Sequence, residues 1–221
     1  MEERKQVIKA SVEAARGEIP IAASIQFVAT REVVELARYA HEIGALLGQL
    51  SAPYYYPPPA DDIYGLFKAV SEQTSFPIMI YNNWWVTLNM NKEMVARLQE
   101  LPNVVALKWS APSSFEFTQG LYTFADRLAI IDNENQMVWS HMLGAIGFIT
   151  HIANFWPEYP LALWDLLEQR RYEEAIHKLV QFQWPWLEWV GQAGRETEGE
   201  GPFIKAAMHE AAFELIEIPH V

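Results

Sequence analysis

The sequence predicts an α/β protein built on a parallel sheet, followed by a helical C-terminal extension. Three observations carry this. Short, wholly apolar runs recur at fairly regular spacing, as buried strands of a parallel sheet do. Amphipathic helical stripes separate them, the pattern of repeated βα units. After the sixth run, only helical periodicity remains.

The elements follow in order. The chain opens on Met1-Glu2-Glu3-Arg4-Lys5 and an amphipathic helix with Val7, Ile8, Val12 and Ala15 on one face. Candidate strands are Ile19–Ile25, Ala45–Ser51, Pro77–Tyr81, Val104–Lys108, Arg127–Ile131 and Ala145–Thr150. Between the first two, Val33, Leu36, Ala37, Ala40 and Ile43 share a helical face, with Thr30 as N-cap and Gly44 as stop. Ile63, Leu66, Phe67 and Val70 form the next stripe behind Asp61-Asp62. Met94, Val95 and Leu98 follow Asn91, and Phe117, Leu121 and Phe124 follow Ser113-Ser114. Such units build either an open doubly wound sheet or a closed barrel. Beyond the last strand, Pro157 to Gln169 and Tyr172 to Gly191 read as helices, the second kinked or broken at Pro185. An acidic, Gly-rich loop over Gly194–Gly201 precedes a last helix starting at Pro202, and the stripe Trp184, Trp186 and Trp189 reads as core or subunit interface. The expected domains are a partial β/α barrel over 1–156 and C-terminal helices over 157–221.

Composition narrows the function. A net charge of -12 argues against nucleic acid and anionic membrane as partners. With no cysteine there is neither a disulfide nor a thiolate metal site, and no His/Asp/Glu spacing suggests a metal. The first residues lack an apolar signal segment and no run reaches transmembrane length. These features predict a cytoplasmic protein that handles a small molecule.

Chemistry concentrates at two strand ends. Asn103-Val104-Val105-Ala106-Leu107-Lys108 places a lysine at the end of an apolar strand, where it must snorkel, find a partner or lose its proton. A neutral lysine is a nucleophile toward carbonyls. Pro77-Ile78-Met79-Ile80-Tyr81-Asn82 ends in a tyrosine at the same rim. Taken alone, Lys108 is more simply a snorkelling strand-end lysine, and Tyr81 has the plain alternative of a core tyrosine with a satisfied hydroxyl. Glu134 and His151 lie just beyond strand ends, where barrel enzymes keep active-site groups.

Four motifs in register, Pro53-Tyr54-Tyr55-Tyr56, Ile80-Tyr81-Asn82, Val105-Ala106-Leu107-Lys108, and Gly147-Phe148-Ile149 with Ala153-Asn154, resemble the dihydrodipicolinate synthase / N-acetylneuraminate lyase family. The resemblance implies a (β/α)8 TIM barrel with C-terminal helices, a homo-oligomer (dimer or tetramer), and class I, Schiff-base aldolase, lyase or dehydratase chemistry on pyruvate or another 2-oxo acid, with an aldehyde as a second partner. It implies Lys108 as the Schiff-base lysine, Tyr81 as the proton relay, and Tyr55 as a tyrosine reaching across a subunit interface. Ile149 would line the pyruvate site. No cofactor beyond the covalent imine on Lys108 is implied. Six strands are readable, the first helix has no strand before it, and the family's Gly-Thr-Thr-Gly-Glu-type motif has no counterpart. The sequence therefore reads as N-terminally truncated.

Two departures bear on substrate. Family synthases follow the Tyr-Asn pair with a loop arginine that holds the second substrate's carboxylate. Here the loop is Asn82-Asn83-Trp84-Trp85-Val86-Thr87, with no basic residue, and tryptophan cannot reproduce a bidentate clamp. True dihydrodipicolinate synthesis is therefore not expected, and Trp84, Trp85 and Glu134 become the candidate substrate-binding groups. Asp132-Asn133-Glu134-Asn135 likewise replaces the usual Ser-Gly-Asp-Asp-like turn. The competing expectation is a catalytically inactive binding relic that keeps Lys108 and Tyr81 without the carboxylate cradle.

Overall fold

The computed structural model describes residues 1–197, 199 and 201–217. By contact it divides into two compact units, Met1–Gln136 with Met142–Phe148, and Met137–His141 with Ile149–Val221.

The first unit contains a six-stranded, wholly parallel sheet in sequential order: β1 (Ala22–Ser24), β2 (Leu47–Leu50), β3 (Ile78–Tyr81), β4 (Val104–Trp109), β5 (Ala129–Asp132) and β6 (Gly147–Phe148). This is a partial β/α barrel. Helices α1 (Glu2–Ala15), α2 (Thr30–Glu42), α3 (Ala60–Gln73), α4 (Lys92–Leu98) and α5 (Ser114–Phe124) flank the strands in turn, and α6 (Met137–Met142) follows β5. Each expected strand is present, but β1 and β6 are shorter than their apolar runs. The central strand β2 is likewise shorter than its expected run, at Leu47–Leu50.

Strand alternation sorts the side chains into two faces. Leu50, Ile80, Leu107 and Ile130 pair in register and are fully buried in one core with Val33, Leu36, Phe67 and Phe117 of the helices. Burying each of these contributes about 1.5–3 kcal/mol. The next register position, Tyr81, Lys108 and Ile131, therefore falls on the opposite face. The sheet's hydrophobic packing thus decides which face the lysine takes.

Helix ends are set locally. Asn91 and Ser113 are N-caps as expected, their side chains accepting from the Met94 and Glu116 amides. Thr30 is not the cap: Ala29 takes that place, its carbonyl accepting from Glu32 and Val33, and Thr30 is the first helical residue. Asp61 and Asp62 lie in the first turn of α3, where carboxylates favour the helix dipole. Gly44 adopts φ +94, the left-handed stop that a side chain would resist. Along α1, Ile8 is buried and Val12 half-buried, while Val7 is exposed.

In the second unit a 3₁₀ turn (His151–Asn154) leads to α7 (Glu158–Glu168) and α8 (Tyr172–Lys178), then a π turn over Leu179–Gln183 and α9 (Trp184–Thr197). The expected irregularity at Pro185 is this π turn. Proline has no N–H to return to the Gln181 carbonyl, and the widened turn carries the helix past it. Of the stretch read as a loop, 194–197 is helical, and 198 and 200 lie outside the described residues. The final helix, α10 (Gly201–Glu217), begins one residue before Pro202. Trp184 and Trp189 are partly exposed, and Trp186 packs between Phe155 and Trp189 at 5.0 and 5.1 Å. Among the described residues no helix is long and apolar enough to cross a membrane.

One packing contact is testable. A Cβ at Gly120 would lie 2.4–2.5 Å from the Trp109 indole, whose Nε1 donates to the Phe117 carbonyl at 3.0 Å. Gly120→Ala is expected to lower stability by about 1–3 kcal/mol through this overlap. Urea unfolding with an unchanged midpoint would contradict it.

Candidate active site

Lys108 and Tyr81 are register partners at the C-terminal ends of β4 and β3. Lys108 is 8 % exposed, and its Nζ lies 3.8 Å from the centroid of the Tyr81 ring. An aromatic face attracts an ammonium, while burial disfavours one.

Asn82 locks this pair in place. It is fully buried, and its backbone N–H donates to the Lys108 carbonyl at 3.1 Å. Its side-chain amide donates to the Ser110 carbonyl and to Asn89 Oδ1, both at 2.8 Å, and its Oδ1 accepts from the Met90 amide at 2.8 Å. Ser110 Oγ donates in turn to the Asn82 carbonyl. The end of β3, the segment after β4 and the loop reaching Met90 are thus one hydrogen-bonded assembly.

Glu134 ties a further loop to it. Its Oε1 accepts from Trp84 Nε1 at 3.3 Å and from the Ala111 amide at 3.1 Å, while its own amide donates to Oδ1 of the buried Asp132 at 2.7 Å. Burial raises the Glu134 pKa above the ordinary carboxylate value, and the bonds from Trp84 and Ala111 oppose the rise. Trp85 stands edge-on to Trp84 at 5.8 Å and is 48 % exposed.

The structure therefore gathers Lys108, Tyr81, Trp84 and Glu134 at the C-terminal edges of β3, β4 and β5. Tyr55 is 72 % exposed and meets Tyr56 edge-on at 4.8 Å. Ile149 follows β6 directly in sequence and belongs to the second unit. His151, in the same unit, packs edge-on to Phe203. Sequence reasoning quoted Asn82 and Asp132 within motifs but gave neither a role, although a polar residue closing each of two apolar strands was a signal available in the chain.

A model described as the dihydrodipicolinate synthetase family matches residues 1–190. The chain belongs to the dihydrodipicolinate synthetase family. It is similar to a 4-hydroxy-tetrahydrodipicolinate synthase of Clostridium perfringens, 34% identical over 160 residues, covering 72% of this chain and 55% of that protein. To the synthase of Geotalea daltonii it is 31% identical over 176 residues, covering 79% and 61%. The chain thus spans between half and two thirds of the length of these relatives. Among solved structures, a dihydrodipicolinate synthase from Aquifex aeolicus matches with TM-score 0.72 and 28% identity, covering 81% of this chain and 64% of that one. A prophage protein of the same family from E. coli K12, in complex with pyruvate, matches in fold with TM-score 0.80 at 19% identity, covering 94% and 70%. The family's α/β barrel accounts for the sequential parallel order of β1 to β6.

Two predictions follow from the contacts around Lys108. Asn82→Ala leaves the Met90 amide and the Ser110 carbonyl without their partner, a loss of about 1–3 kcal/mol for each buried group left unpaired. Faster hydrogen exchange at the Met90 amide is the expected readout, and unchanged protection would contradict it. For Glu134, a raised pKa means that the folded state holds the proton more tightly than the unfolded chain does. The stabilisation is fully present below the ordinary value of 4.5 and is lost as pH rises through the raised value. Glu134→Gln keeps an acceptor for Trp84 and Ala111 with no charge to desolvate. Its Tm should exceed the parent's at neutral pH, with the gain shrinking as pH falls toward 4.5; a pH-independent difference would contradict the assignment.

Proposed function

We propose that this family member is a Schiff-base lyase or aldolase acting on pyruvate or a related 2-oxo acid. The observation that carries the reading is the buried Lys108 amine set over the Tyr81 ring at the C-terminal edge of a parallel sheet. Carbonyl chemistry of this kind needs an uncharged amine, a proton shuttle beside it and a site from which water is held back.

Neutral Lys108 Nζ attacks the ketone carbon. The oxygen takes up a proton, and the carbinolamine then loses water to give the imine. Once protonated, the imine accepts the electron pair released when the adjacent carbon loses a proton, and the resulting enamine attacks an aldehyde carbonyl to form a carbon–carbon bond. The reverse sequence cleaves that bond. Tyr81 is assigned the proton transfers to the carbinolamine and to the product hydroxyl. Trp84, held by Glu134, forms the wall for the second substrate, with Trp85 at its edge. The loop over Asn82–Thr87 contributes no cation, which favours a less charged or aromatic second substrate, or a sugar acid held by hydroxyl contacts, over a charged amino-acid aldehyde.

The exposed rings of Tyr54, Tyr55 and Tyr56 fit a subunit interface, in keeping with a homo-oligomer, and Tyr55 is assigned to that surface. Ile149 is assigned to the 2-oxo acid site on the family resemblance alone.

Treatment of the chain with pyruvate and borohydride, followed by intact-mass analysis, tests the reading. A pyruvate-sized increment is expected on the parent and absent from Lys108→Ala. Tyr81→Phe should slow trapping by about 10²–10⁴-fold. A folded parent that takes up no increment would favour the binding relic, and an adduct retained in Lys108→Ala would overturn the assignment.

A further inference from the structure

The irregular stretch between α8 and α9 is held from outside by a side chain of α7. Across the π turn over Leu179–Gln183 the Trp184 amide returns to the Leu179 carbonyl, where an α-helix would take it to Val180. The same wide pattern sets the Gln183 amide opposite the Lys178 carbonyl. The Tyr159 hydroxyl meets both groups. It donates to the Lys178 carbonyl at 3.0 Å, and it accepts a hydrogen bond from the Gln183 backbone. A side chain inserted into the ladder is one of the few causes that break a helix's regular run.

Tyr159 is firmly seated. It is buried, its ring lies 5.2 Å from that of Trp156 and 4.9 Å from that of Phe182, and the Lys178 ammonium stands 5.2 Å from its centroid. Burial holds the Tyr159 pKa above its ordinary value, against the pull of the Gln183 bond, so the hydroxyl keeps the proton it donates. Leu179 and Gln183, at the two ends of the wide turn, are buried as well. Pro185 acts from the far side, because in an α register its ring would meet the Gln181 carbonyl.

We infer that the Tyr159 hydroxyl is a register pin for α9, and that residues 179–183 form a joint with two positions. With the pin in place the turn is wide, and α9 presents Trp186 to Phe155 at 5.0 Å and Trp189 to Phe203 at 5.9 Å. Without it the turn closes to α, and α9 rotates by about 100° and moves by about 1.5 Å along its axis. Both ring contacts are then broken. One hydroxyl thus decides which face α9 turns to its neighbours in the C-terminal unit, independently of the chemistry at Lys108.

Crystal structures of Pro185→Ala, with and without Tyr159→Phe, test this. Pro185 is exposed, and its replacement lifts the steric bar to the α register. Pro185→Ala should keep the Trp184 amide on the Leu179 carbonyl, because the hydroxyl still holds the turn. The double variant should return that amide to Val180 and carry Trp186 away from Phe155. A turn that closes in Pro185→Ala alone, or that stays wide in the double variant, would overturn the inference. Tyr159→Phe in the parent gives a second readout that needs no change of register. With Pro185 still opposing the α turn, the Gln183 amide loses the hydroxyl, and its hydrogen exchange should quicken about tenfold. Unchanged protection there rejects the pin, even if the double variant fails to fold.

Discussion

The register between β3 and β4 is the constraint on which the site depends. Pairing of Ile80 with Leu107 places Tyr81 against Lys108. A slip of one residue would exchange faces, sending the lysine into the apolar layer against the helices and Leu107 into the site. That exchange is opposed twice. Leu50, Ile80, Leu107 and Ile130 form one buried row across four strands. Just past the strand ends, Asn82 closes the register with its bond to the Lys108 carbonyl. Apolar burial chooses the face, and a single amide residue holds the edge.

The polar groups at that edge are kept in place by contacts that cross between loops. Asn82 joins the segments following β3 and β4, and Glu134 joins both to the turn after β5. Each takes or gives more than one hydrogen bond, so loss of either frees several groups together. A reactive amine benefits from such surroundings, because dipoles already held in position need no reorganisation when charge moves. The raised Glu134 pKa belongs to the same picture: the burial around the Trp84 bond penalises the carboxylate that accepts it.

Much of this was legible in the chain. The apolar runs ending in Tyr81 and Lys108 marked two strand ends and the residues that occupy them, and the 3.6-residue stripes marked α2 to α5. Asn91 and Ser113 declared themselves as caps because capping is a contact over three residues. What escaped depends on distant contacts. Trp84 and Glu134 are 50 residues apart, and Arg4 reaches Gln26 across 22, so neither pairing leaves a local pattern. Thr30 was misplaced by one residue because its neighbour's carbonyl already opens the helix.

The most direct test of the central claim is a crystal structure of the chain reduced with borohydride in the presence of pyruvate. Continuous density from Lys108 Nζ to the substrate's second carbon, beside the Tyr81 ring and with Asn82 still bonded to the Lys108 carbonyl, is the predicted result. An unmodified Lys108 in an otherwise intact sheet, or an adduct on another lysine, would contradict it.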